Sequence, residues 1–149
     1  MARKDAYHDI AKSALEKDGW TITHDPLHLE MGGVNIHIDL GAEGQPIAAE
    51  KDSEKIAVEI KSFVGDSNIN ELEKAIGQYL LYSVILAEKE PYRKLYLAVS
   101  ETAYYGVFSE RAVDMLVKNQ KIRLIIFDEF EGRIIQWIDE KNTKKLLSN

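Results

Sequence analysis

Apolar and polar residues alternate strictly through Lys55-Ile56-Ala57-Val58-Glu59-Ile60-Lys61, the pattern of a half-buried strand. Ile56, Val58 and Ile60 should face one way; Lys55, Ala57, Glu59 and Lys61 the other. A rise of about 3.3 Å per residue sets Glu59 and Lys61 about 6–7 Å apart on one face. Asn35-Ile36-His37-Ile38-Asp39-Leu40 alternates in the same way, with His37 and Asp39 opposite Ile36, Ile38 and Leu40. Ile47–Lys51 predicts a further strand, joined through Asp52-Ser53-Glu54 to the Lys55–Lys61 strand as a hairpin. Gly41 to Pro46 would form a bend or bulge between these strands. Trp20–Thr23 is a short β-prone run closed by Asp25-Pro26. The stretch from Leu27 to Gly33 shows no assignable element beyond a turn at Gly32-Gly33.

Helical periodicity brackets and follows these strands. A first helix is expected from Arg3 to Asp18, with Ile10, Ala11, Ala14 and Leu15 as its stripe and Gly19 as its stop. A longer one starts near Ser67 or Asn70, either of which could cap it; Asn70 has Glu73 three residues on, as in a capping box. Leu72, Ala75, Ile76, Tyr79, Leu80, Ser83, Val84 and Ala87 trace its apolar face, and Glu90-Pro91 ends it. Lys94–Val99 reads as a strand buried on both sides. A helix over Ser109–Asn119 should turn Ala112, Val113, Leu116 and Val117 inward. Strands Ile122–Phe127 and Arg133–Ile138 then close a hairpin around Asp128–Gly132. The order predicts an α/β (α+β) fold, a mixed sheet flanked by helices. One domain over residues 1–139 is expected, with a polar, Lys-rich tail over 140–149 that should fray.

Composition narrows the chemistry. The 149-residue chain has no cysteine, which excludes thiolate metal sites, disulfides and cysteine nucleophiles. No apolar run has the length of a membrane span and no signal peptide is evident, so a cytoplasmic protein without membrane contact is expected. The net charge of −6 argues against broad non-specific nucleic-acid binding. Clustered carboxylates that hold cations against phosphates would lower the charge in the same way.

Asp39, Glu59 and Lys61 are the first candidate constellation. Two carboxylates on separate strands can hold Mg²⁺ or Mn²⁺, which accepts a few hard oxygens and keeps several waters. Lys61 would orient a water or offset charge on a phosphorane. On pattern alone a solvated strand face is the commoner explanation. Glu50 is the rival carboxylate, because one residue of register decides which acid shares a face with Glu59. Gln78 and Tyr82 lie four apart on one helical face, where Gln78 could bond a carboxylate, a water or a phosphate. The four histidines lack the close pairs of a zinc site, although His37 could contact metal or phosphate beside Asp39. Nucleophile-elbow, phosphate-loop and dinucleotide signatures are absent.

Lys4-Asp5-Ala6-Tyr7-His8, Asp18–Pro26, Ile38–Glu43, Ala48-Ala49-Glu50-Lys51, Ile56–Phe63, Ala75-Ile76-Gly77-Gln78-Tyr79, Lys121–Asp128 and Gln136-Trp137-Ile138 resemble the XisH family. The resemblance runs over essentially the whole domain. It implies a controlling factor for excision of the fdxN element, a programmed DNA rearrangement in cyanobacteria. DNA, a small XisI-like partner and, indirectly, a recombinase are the implied partners, and homo-oligomerisation is left open. It also implies a restriction-endonuclease-like core of the PD-(D/E)XK class, a metal-dependent deoxyribonuclease if active. On that resemblance Asp39 looks like the motif's aspartate, Glu59 and Lys61 its E-x-K, and Gln78 and Tyr82 a Q-x-x-x-Y element with Tyr82 near DNA. His8 stands nearest to a glutamate that related resolvases carry on the first helix, so Asp39, Glu59, Glu50 and His8 are the implied metal ligands. A non-catalytic interaction module on the same fold is the alternative.

Overall fold

A computed structural model describes residues 5–44, 54–64 and 68–140. The expected mixed sheet is present and has six strands. They lie in the order β1 (Thr21–His24), β4 (Leu40–Glu43), β5 (Lys55–Lys61), β6 (Arg93–Ser100), β7 (Leu124–Asp128) and β8 (Arg133–Ile138). The β1, β4 and β5 strands pair antiparallel, β5, β6 and β7 run parallel, and β8 returns antiparallel. Parallel neighbours need crossovers. The first is α2 (Asn68–Lys89); the second comprises α3 (Glu101–Tyr105), a single 3₁₀ turn and α4 (Arg111–Asn119).

Two cores sandwich the sheet. On one face α1 (His8–Lys17) buries Ala11, Ala14 and Leu15 against Leu40, Ile56, Val58, Ile60 and Phe127. On the other, α2, α3, α4 and a separate hairpin of β2 (Leu27–Met31) and β3 (Val34–Ile38) cover Ala57, Leu95, Leu97, Val99, Leu124 and Ile126. Strand β5 is therefore central and covered on both sides. Alternation suggested a half-buried strand, but the face with Ala57 and Glu59 is buried as well, with Glu59 only 6 % exposed.

Several expectations change. The first helix starts at His8, after a turn that follows Asp5, rather than at Arg3; residues before Asp5 lie outside the described ones. Leu27–Ile38 is a β-hairpin whose two-residue turn, Gly32-Gly33, has φ of 55° and 86°, conformations that glycine alone enters freely. Asn35–Leu40 is not one strand. It breaks at Asp39, and Ile38 and Leu40 enter different cores. Gly41 to Glu43, expected as a bend, is the strand that pairs with β5. The expected Ile47–Lys51 strand and its turn at Asp52-Ser53 lie outside the described residues, as do Ser67 and residues 141–149. Helix α2 is under way at Asn68, so Asn70 is inside its first turn, not at a cap. Leu80, Val84 and Ala87 on α2, and Ala112 on α4, are exposed rather than inward. Glu140 is not loose tail: its carboxylate meets Arg123 Nη2.

Candidate active site

The end of β5 and the break after β3 bring Asp39 and Glu59 together. Leu40 pairs with Val58 in the antiparallel β4–β5 ladder, so Asp39, one residue earlier, faces Glu59, one residue later. The two acids are laced through each other's backbone. The Asp39 N–H donates to Glu59 Oε1 at 3.2 Å, and the Ile60 N–H donates to Asp39 Oδ2 at 2.7 Å. Interrupting the strand at Asp39 frees its N–H and side chain for this exchange instead of a ladder bond.

The electrostatics of the pair are adverse. Burial, then the neighbouring Asp39 charge, push the Glu59 carboxyl up to about 9, although the Asp39 N–H and Lys61 pull it back. Burial also raises Asp39, against the stabilising Ile60 N–H and the His8 imidazole. Lys61, half-buried at the end of β5, is thus close enough to favour the charged form of Glu59. Tyr82 is pushed up to about 12, first by burial and then by Glu59 and Asp39, which places its hydroxyl in the field of both acids. Gln78 lies one turn earlier on the same side of α2, and its Oε1 is buried without a hydrogen-bond partner among the described residues.

His8 is buried at 4 % exposure. Its Nε2 lies 2.7 Å from Asp25 Oδ1, and its Nδ1, buried and without a hydrogen-bond partner among the described residues, is 4.0 Å from Asp39 Oδ1. Asp25 is also held by Lys12 at 2.8 Å. Asp5, to which the sequence reading gave no role, accepts the Ser62 N–H at 2.9 Å and adds its charge to the field at Asp39. Asp25, read only as part of a proline turn, fixes the ring of His8. An acid just ahead of the first helix was visible in the sequence, but its approach to the end of β5 was not.

Asp39, Glu59, Lys61 and Tyr82 thus share one electrostatic site, with His8 at its edge. His37 stands apart: its ring stacks on His28 across the hairpin, centroids 4.7 Å apart. Glu50 lies outside the described residues. Among the described residues no three His, Asp or Glu side chains are grouped to enclose a metal ion. A two-carboxylate site is what remains, and Mg²⁺ is a cation that takes one or two carboxylates and keeps its own waters. Partnerless Gln78 Oε1 and the two crowded carboxylates are hard oxygen donors, so the residues fit such an ion.

The sequence matches the XisH protein family over residues 1–135. It is similar to an XisH family protein from Nostoc punctiforme whose crystal structure is known, at 40 % identity and TM-score 0.83, covering 91 % of this chain and 100 % of that one. A structure of an fdxN element excision controlling factor protein from Anabaena variabilis is similar at 38 % identity and TM-score 0.82, over 91 % and 100 % of the two chains. Among curated proteins none matches.

Proposed function

The chain belongs to the XisH family, and on that premise we propose that it is an accessory factor controlling excision of a DNA element, with a PD-(D/E)XK-type site at the Asp39–Glu59 edge. The observation that supports a site here is a pair of acids facing each other, Glu59 buried and Asp39 half-buried, with Glu59 raised to about 9. Crowded carboxylates of this kind are poised for a cation that replaces the shared proton.

Asp39 and Glu59 would hold Mg²⁺ or Mn²⁺. When bound, the ion supplies charge neutralisation at a phosphate and a more acidic water. Lys61 offsets negative charge on the reacting phosphate. Tyr82, protonated at neutral pH, donates a hydrogen bond to a phosphate oxygen. Gln78 offers its amide to a ligand water. His8, held by Asp25, orients Asp39 rather than ligating. His37 lies on the separate hairpin, where it would meet DNA only beyond the acids.

Calorimetry should show Mg²⁺ or Mn²⁺ binding that Asp39→Ala and Glu59→Ala abolish; heat unchanged by both substitutions would remove the metal from this reading. Cleavage of branched, nicked and linear DNA, with Lys61→Ala as control, tests the chemistry separately.

A non-catalytic reading is favoured by one observation. Leu80, Leu81 and Val84 form an exposed apolar row on α2, and the net charge is −6, both suited to a protein partner such as a small XisI-like chain. On that reading Glu59→Gln leaves excision in cells intact while partner pull-down persists.

A further inference from the structure

The exposed face of α2 has a pattern of its own. Lys74, Gly77, Leu81, Val84 and Glu88 recur at alternate spacings of three and four residues, the seam along which one helix packs on another. Leu80 and Ala87 flank that seam, and all seven are exposed, Leu81 at 48 % and Val84 at 63 %. The opposite face of the helix is already seated in the core through Leu72, Ala75, Ile76 and Tyr79.

Gly77 marks a place of close approach. Glycine in a helix interior is unfavourable relative to alanine. A methyl there would meet no atom within 4 Å among the described residues, so no contact inside the chain calls for its absence. The missing side chain leaves a gap one turn from Leu81, where the backbone of a second helix can come near.

The charges at the two ends of the row select what that helix is. Glu73 and Lys74 are exposed before the apolar stretch, and Glu88 and Lys89 after it. Within one chain Lys74 has only an exposed contact with Glu71 at 3.7 Å, a weak class of ion pair. Turned end for end about Leu81, the helix sets Lys74 against Glu88 and Glu73 against Lys89 of a second copy, each contact occurring twice. Laid side by side in the same direction, every one of these charges would meet its own kind. A surface that complements itself after a half-turn is what a two-fold dimer requires.

We propose that α2 packs antiparallel on α2 of a second copy of this chain, crossing near Leu81. The apolar row supplies the association, and the charges fix direction and register. Gln78 stands one turn from both Lys74 and Leu81, so the side of α2 that carries Gln78 and Tyr82 adjoins the interface. An interface of one helix per copy falls at or below the low end of the about 1,200–2,000 Å² of stable complexes. The dimer should therefore dissociate on dilution through the micromolar range.

Sedimentation velocity of the full chain from about 1 to 200 µM at low ionic strength tests this. A reversible shift from monomer to dimer is expected. Leu81→Glu changes an exposed residue and places two carboxylates on the two-fold axis; it should weaken the dimer by at least about tenfold with the fold kept, as circular dichroism checks. Glu88→Lys sets Lys74 against a lysine and should weaken it by about three- to tenfold, and Lys74→Glu added in the same chain should restore it. A chain that stays monomeric throughout, including one that takes a different protein on this row, would overturn the proposal. So would a dimer indifferent to Leu81→Glu, or a Glu88→Lys defect that Lys74→Glu fails to rescue.

Discussion

Arg93 and Glu59 are both buried against β5, at opposite ends of it, and their surroundings are opposite in kind. Arg93 donates from Nη1 to the Ile56 carbonyl at 2.9 Å and from Nε to Glu90 at 2.7 Å. Its charge has a counter-charge and its donors have acceptors. Glu59 has an N–H to accept and Lys61 nearby, but its nearest charged neighbour across the ladder is another acid. A buried charge with its partners supplied holds structure together; a buried charge opposed by its own kind awaits something from outside. The first end of β5 reads as architecture and the second as a site.

Removing the guanidinium tests the first half of that contrast most severely. Arg93→Ala strips the Ile56 carbonyl and Glu90 of their partner in a buried setting and should cost about 3–5 kcal/mol in denaturant unfolding. At the other end the expected sign is reversed. Glu59 titrates at about 9 in the folded chain against 4.5 as its ordinary value. The folded state thus holds a proton that the unfolded state releases. Stability should fall as pH rises through that window, by at most about 1.4 kcal/mol per pH unit for one proton. Glu59→Gln should flatten that slope in thermal melts across pH, and saturating Mg²⁺ should flatten it too. A slope that persists in Glu59→Gln would place the titrating group elsewhere.

Two smaller effects bracket the comparison. A methyl on Gly41 would sit 3.0 Å from His24 Nδ1 and 3.3 Å from Arg93 Nη1. Gly41→Ala should therefore destabilise by about 1–3 kcal/mol through crowding of the His24 side chain and then the guanidinium, seen as a lower denaturant midpoint. Lys74→Ala removes an exposed pair with Glu71, 3.7 Å apart on α2, and should change stability by less than about 0.5 kcal/mol. That last result sets the baseline for a charge whose loss matters little.

The strands and helices whose periodicity is uninterrupted were legible in the sequence. Strand β5, the body of α2, strand β6 and the β7–β8 hairpin fall where alternation, helical spacing and turn residues put them. Asp39 shows why other parts were not. Ile36, Ile38 and Leu40 keep a period of two straight through the break, so nothing in the pattern reveals that the chain changes sheets between them. The β2–β3 hairpin carries its own signal, Leu27 and Leu29 mirrored by Ile36 and Ile38 about Gly32-Gly33, but its short strands and polar outer face hid it. Leu80 and Val84 look inward on a helical wheel and are exposed because α2 has a wide apolar surface and only one sheet to cover it. The pairing of Asp39 with Glu59 rests on a ladder between β4 and β5, and Gly41 and Ala42 gave that strand no pattern to announce it.

The hairpin leaves the main sheet after His24 and rejoins it at Leu40, and His24 lies opposite Gly41 in the ladder. Each of its two stalks carries an aspartate, Asp25 and Asp39, and both face the ring of one histidine, His8, on α1. The hairpin is thus an arm rooted at the Asp39–Glu59 edge. Its far end is the Gly32-Gly33 turn with exposed Met31 and Val34 beside it. Leu27, Leu29, Ile36 and Ile38 seat the hairpin in the same core as α2, so the packing of that core and the position of Asp39 opposite Glu59 are joined through one short stretch of chain.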